Sequence, residues 1–142
     1  MVLFPEKING FYGAVFGGCS NLIADCNMHK ASFQAKDSMF VNCGITGIDM
    51  SRSSHGTLSG SMFKNCKNLK WVKFNETNST FEIHSSTFQN CQALTTLEPF
   101  FPTNLTRIYS NAFNGCTNLS GTAEFSVTTT ASSDGAFSNT KV

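Results

Sequence analysis

The segment SMFKNCKNLKWVKF, residues 61–74, decides the fold. It joins a Phe-x-x-Cys turn to an apolar pattern in which Leu69, Val72 and Phe74 take the first, fourth and sixth places. The same arrangement returns through the chain. Phe16, Phe40, Phe63, Phe88, Phe113 and Phe137 align at separations of 24, 23, 25, 25 and 24 residues, and Cys19, Cys43, Cys66, Cys91 and Cys116 follow the first five by three places. Thr140 stands in the cysteine position of the last copy. Self-similarity at this period marks a solenoid, because a unit this short cannot bury its own apolar face and must stack on its neighbour.

Six residues after the phenylalanine comes Leu22, Leu69, Leu94 or Leu119, with Ile45 and Val142 one place early through an apparent deletion. Strands are expected to begin there, as in LKWVKF (69–74), ITGIDM (45–50) and LTTLEP (94–99), which carry the L-x-x-L-x-L signature of leucine-rich repeats. LIADCNM (22–28) and LSGTAEF (119–125) fit with one inserted residue, which turns Cys26 with Met28 and Ala123 with Phe125 inward. Five residues before each phenylalanine lie Phe11, Ala35, Leu58, Ile83, Ile108 and Ser132, marking the returning side. The expected architecture is a mainly β leucine-rich-repeat solenoid. Its repeats of about 24 residues wind as a right-handed superhelix, with a parallel sheet on one face and short turns or strands on the other. Residues 1–142 read as a single domain of about five full repeats plus partial terminal repeats. Phe4 falls in the register of Phe74 and Val142 stops where a strand would begin, so the chain is expected either to come from a longer array or to stack end to end.

Composition excludes several function classes. The 142 residues carry ten Lys plus Arg against nine Asp plus Glu, too balanced a charge to hold nucleic acid or an anionic membrane. Lys64, Lys67, Lys70 and Lys73 recur every third residue, but they divide between turn and strand and form no basic stripe. MVLFPEKING lacks a cationic run followed by an apolar stretch, and about eighteen uninterrupted apolar residues occur nowhere, so neither a signal peptide nor membrane insertion is expected. The six cysteines follow the repeat rather than a crosslinking pattern, and all six thiols are expected to be free and buried. Cys26 and His29 have a C-x-x-H spacing without a second ligand pair, and His55 and His84 belong to other repeats, so no metal is expected. No nucleophile elbow, P-loop or dinucleotide fingerprint is present, and Gly13, Gly17 and Gly18 read as turn glycines. The chain is expected to be non-enzymatic and to use no cofactor. Sequons begin at Asn75, Asn78, Asn104 and Asn118; in a secreted eukaryotic chain Asn75 and Asn78 would be the favoured acceptors.

SMFKNCKNLKWVKF, STFQNCQALTTLEPF (86–100) and NAFNGCTNLSG (111–121) share the pattern A/S-x-F-x-N/G-C-x-N-L, which resembles the BspA-like leucine-rich repeats of bacterial and protist cell-surface proteins. The resemblance spans nearly the whole chain. It implies an extracellular or cell-surface location, and a role in adhesion or in protein or glycan binding. Ala24, Gly47 and Gly121 depart from the usual strand residues, and Phe100 with Phe101 lengthens one copy, so interrupted curvature is expected.

The strand face is the candidate site. Between the last two inward positions of each strand, Asn27, Asp49, Lys73, Glu98 and Glu124 form an outward, mostly acidic column. Lys73 between Asp49 and Glu98 would relieve their repulsion across neighbouring strands. Trp71, the one tryptophan, faces outward beside Gly47 and Thr96, small neighbours expected to leave its ring accessible. Trp71, Lys73, Asp49 and Glu98 are therefore the expected ligand-binding residues, for a protein or glycan partner. The other role open to such a chain is a structural spacer or an assembly unit that associates end to end.

Overall fold

The computed structural model describes residues 1–3, 13–28, 37–52, 57–77, 80–122, 130–131 and 134–142. Among these it holds nine short strands and no helix. Strands β1 (Val2–Leu3), β2 (Asp25–Asn27), β3 (Gly47–Asp49), β5 (Trp71–Lys73) and β7 (Thr96–Glu98) form one sheet in that order. Strands β4 (Thr57–Leu58), β6 (Phe81–Ile83), β8 (Leu105–Ile108) and β9 (Thr130–Ala131) form the second. Every pairing in both sheets is parallel. The result is a leucine-rich-repeat β-solenoid, as the period requires.

The strands start two residues later than the apolar signature places them. The amides of Leu69, Leu94 and Leu119 donate to the carbonyls of Cys66, Cys91 and Cys116 at 3.1, 3.1 and 3.0 Å, so the Phe-x-x-Cys turn runs on through the leucine. The leucine still points inward. Leu69, Val72 and Phe74 are all buried, as are Ile45, Ile48 and Met50. In the first of these copies the inserted residue lands where expected, and Cys26 and Met28 are buried. On the returning side Leu58, Ile83 and Ile108 are buried in the second sheet. Phe4, Phe11, Ala35, Ala123, Phe125 and Ser132 lie outside the described residues.

The six ladder phenylalanines form a continuous stack. Successive ring centroids lie 5.2, 5.5, 5.2, 5.2 and 5.4 Å apart, with interplanar angles from 5° to 14°. Parallel chains pack about 4.8 Å apart, so like residues at one position are carried into contact as near-parallel rings. The turns have a hydrogen-bond ladder of their own. Phe40 N donates to Met62 O and Asn42 N to Lys64 O, both at 2.9 Å, and the same pair of bonds recurs from Phe63 and Asn65 onto Thr87 and Gln89 at 2.8 Å.

The cysteines do more than fill space. Cys66 Sγ donates to Phe40 O at 2.9 Å, and Cys91 and Cys116 donate to Phe63 O and Phe88 O at 3.0 Å. Each thiol thus tethers its turn to the phenylalanine of the preceding one. All six cysteines are free, and five are buried. Cys19 is exposed, which corrects the expectation that all six would be protected: it is the first member of its column.

The S and N/G positions of the sequence pattern have a backbone cause. Ser38, Ser61, Ser86 and Asn111, two residues before the phenylalanine, and Asn42, Asn65, Asn90 and Asn139, two after it, all have φ between 56° and 65°. Short polar side chains tolerate this left-handed region better than bulky ones. In the copy with the deletion, Gly44 lets the tightened turn through: a Cβ there would lie 2.1 Å from Ser20 O. The lengthened copy keeps its core, because Phe101 packs edge-on against Phe113 and Phe137 at 5.6 and 5.8 Å.

Candidate functional site

Parallel register assembles the strand face from residues far apart in sequence. Asn27 pairs with Asp49, Asp49 with Lys73, and Lys73 with Glu98, so the column runs side by side across β2, β3, β5 and β7. Its fifth expected member, Glu124, lies outside the described residues. Trp71 sits between Gly47 and Thr96 in the adjacent column. The four expected site residues therefore share one face.

Their individual surroundings differ. Lys73 Nζ approaches Glu98 Oε2 at 3.9 Å, and both side chains are exposed, so this pair contributes little to stability. Asp49 Oδ1 accepts from Ser51 N at 2.9 Å and Ser51 Oγ at 2.6 Å, which holds its carboxylate over the turn that follows β3. Asp25 Oδ1 accepts from Thr46 Oγ1 at 2.6 Å, tying β2 to β3 beside the same face.

Trp71 is half-buried rather than fully accessible, and Gly47 is the reason. A Cβ on Gly47 would lie 2.0 Å from Trp71 Cε2 and 2.1 Å from Nε1, so the indole occupies the space that a side chain would need. The small neighbour admits the ring instead of exposing it. On its other side Trp71 lines a cleft of about 250 Å3 with Val72, Thr96 and Glu98. Glu98 also lines a second cleft of about 340 Å3, formed with Lys73, Glu76, Thr77, Ser51 and Pro99. Glu98 thus borders both clefts, beside a half-buried aromatic ring.

Gly47→Ala tests the seat of the indole. The new methyl must drive the ring off the sheet, at a cost of about 1–3 kcal/mol for overpacking. Because Trp71 is the one tryptophan in the chain, its emission should shift to the red as the ring becomes hydrated. An unshifted spectrum would show that the indole does not rest on Gly47.

Sequence reading missed a second polar cluster, on the other sheet. Glu82 Oε2 lies 3.5 Å from His84 Nε2 and accepts from Tyr109 Oη at 3.4 Å. An Arg107 guanidinium nitrogen donates to Tyr109 Oη at 3.1 Å, and the His84 and Tyr109 rings meet at 4.5 Å. The signal was available: Glu82 and His84 flank inward Ile83, and Arg107 and Tyr109 flank inward Ile108, so alternation places all four outside. These groups satisfy one another across neighbouring strands, the usual way a polar sheet face is stabilised.

Asn75, which opens one of the sequons, is buried, and its Oδ1 accepts from Thr77 N and Oγ1 at 2.6 and 2.7 Å. Among the described sequon residues Asn118 is the exposed one; its amide donates to Gln92 O at 2.8 Å. Asn78, His29 and His55 lie outside the described residues. Among the described residues no three His, Cys, Asp or Glu side chains converge as a metal site would require. No helix among them is long and apolar enough to cross a membrane.

A family model described as a BspA type leucine rich repeat region matches residues 1–70 and 34–142, in six copies. Neither a curated protein nor a solved structure matches the chain.

Proposed function

The chain belongs to the BspA-type leucine-rich-repeat family, and from that premise we propose that it is a non-catalytic interaction module of the cell surface. In this reading it engages a protein or glycan partner through the outer face of the first sheet, at Trp71, Lys73, Asp49 and Glu98. The observation that carries the reading is Trp71. An indole held against Gly47 and bordering a cleft shared with Thr96 and Glu98 loses little side-chain freedom on binding, which is what an anchor residue needs. The polar residues beside it supply orientation. Lys73 and Glu98 pair with each other only weakly and are free to exchange that contact for one with a partner.

The test is a screen of extracellular-matrix proteins and immobilised glycans with wild type beside Trp71→Ala, at two salt concentrations to expose charge-driven adsorption. Saturable binding that weakens at least about tenfold in the variant, as loss of a hot spot requires, supports the assignment. Binding undiminished in Trp71→Ala sinks it.

A structural spacer or assembly unit is the second reading. The phenylalanine rings stacked in register along the column are the observation behind it, since each repeat buries its apolar face only against a neighbour. Sedimentation over a range of concentrations separates the two readings, since reversible end-to-end growth favours assembly and a clean monomer favours surface recognition.

A further inference from the structure

A second concave feature lies on the turns, away from the Trp71 face. Asn42, Asn65 and Asn90 hold their left-handed positions in three successive repeats, and their amides are hydrogen-bonded in a row. Asn65 Nδ2 donates to Asn42 Oδ1 at 2.9 Å, and Asn90 Nδ2 donates to Asn65 Oδ1 at 3.0 Å. Glycine takes the equivalent position at both ends of the row. A Cβ on Gly115 would meet Asn90 Oδ1 at 2.5 Å, and around the Cβ position of Gly18 nothing lies within 4 Å. Along this row runs a groove of about 630 Å3, whose lining adds Ser20, Asn68, Gln92 and Lys67 to the three ladder amides.

The lining selects a ligand class. An internal ladder amide spends one N–H and one carbonyl lone pair on its neighbours and keeps the other of each for a ligand. Asn68 and Gln92 stand exposed at the rim. No carboxylate lines the groove, so it has no negative charge to hold a cation, and one lysine is too few for a nucleic-acid backbone. A peptide strand would need unpaired backbone groups along the edge, whereas the turn amides already bond to the next repeat. What remains is a neutral chain of hydroxyl groups. The amides recur with the stack, whose phenylalanine rings step by 5.2 to 5.5 Å two residues away. The sugar rings of an extended β-linked polysaccharide recur on the same length scale. We propose that this groove binds a neutral, extended β-linked polysaccharide chain, one sugar to each repeat. With no aromatic platform in the groove, each sugar contributes little, and affinity accumulates along the chain.

The experiment is affinity electrophoresis of the full chain in gels containing hydroxyethylcellulose, galactomannan, dextran or alginate. Asn65→Ala removes a residue that the turn itself uses, so the informative variant is Asn68→Ala with Gln92→Ala, at exposed positions, with its fold checked by circular dichroism. Retardation by hydroxyethylcellulose or galactomannan, absent with dextran, reduced at least about tenfold in the double variant and unchanged in Trp71→Ala, is the expected result. No retardation by either neutral extended polymer overturns the proposal. So does retardation that the double variant does not weaken, or retardation by alginate alone, which would assign the contact to the charge of Lys67. Because Trp71→Ala is run in the same gels, failure here is distinct from failure of the strand-face reading.

Discussion

Phe88→Ala is expected to lower the unfolding free energy by about 3–5 kcal/mol. Phe88 is fully buried, its ring stacks on Phe63 and Phe113 at 5.2 Å on each side, and Phe74 meets it edge-on at 6.4 Å. Truncation removes the transfer free energy of the ring, leaves a cavity, and deletes three aromatic contacts, each worth about 0.5–1.5 kcal/mol. It also cuts the column in the middle. A solenoid is coupled only through nearest neighbours, so a break there weakens the link between the repeats on either side. Urea unfolding followed in parallel by circular dichroism and by Trp71 emission should show a lowered midpoint, with the two signals drawn apart. Phe137→Ala is the comparison. That ring meets Phe113 in the column and Phe101 from the side, and is partly exposed, so its loss should cost about half as much. A Phe88→Ala loss below about 1 kcal/mol would contradict a phenylalanine spine.

The spine was legible because a column depends only on period, and the period is printed in the chain at every Phe-x-x-Cys. The same reasoning placed Trp71 between Gly47 and Thr96 and lined up Asn27, Asp49, Lys73 and Glu98. What the period does not carry is direction. Leu69 is inward whether it closes a turn or opens a strand, so its burial could not fix where the strand begins. Gly47 read as a gap beside Trp71, but which way the indole leans depends on packing across the sheet, and it leans into the gap. Cysteine in a buried column reads as a small apolar residue; its bond to the carbonyl of the preceding phenylalanine appears only when the turns are stacked. Exposure of Cys19 has the same origin, since burial in a column requires neighbours on both sides and a motif does not record them.

The thiol column predicts alkaline unfolding. Burial raises Cys66 and Cys116 from the ordinary 9.0 to about 12 and Cys26 to about 11, and holds Cys91 well above 9.0. The cause is physical: a thiolate in this core would be stripped of water, and for Cys26, Cys66 and Cys91 it would also lie beside the neighbouring cysteines of the column. The unfolded chain has no such restraint and releases these protons near 9.0. Above that pH the unfolded state binds fewer protons than the folded one, so stability is fully present below pH 9 and falls as pH rises toward the folded values of 11 to 12. Burial raises Cys43 as well; each of the five thiols contributes a slope of up to about 1.4 kcal/mol per pH unit, and together up to about 7 kcal/mol per unit. Against a total stability of about 5–15 kcal/mol, the chain should unfold within one to three units above pH 9. Urea midpoints from pH 7 to 10.5 should be level up to about pH 9 and then drop steeply. The control is Cys66→Ala with Cys116→Ala. That variant is less stable at pH 7, having lost two tethers, but its alkaline slope should fall to about three fifths of that of wild type. Equal slopes would mean that the buried thiols do not govern the alkaline limit of the fold.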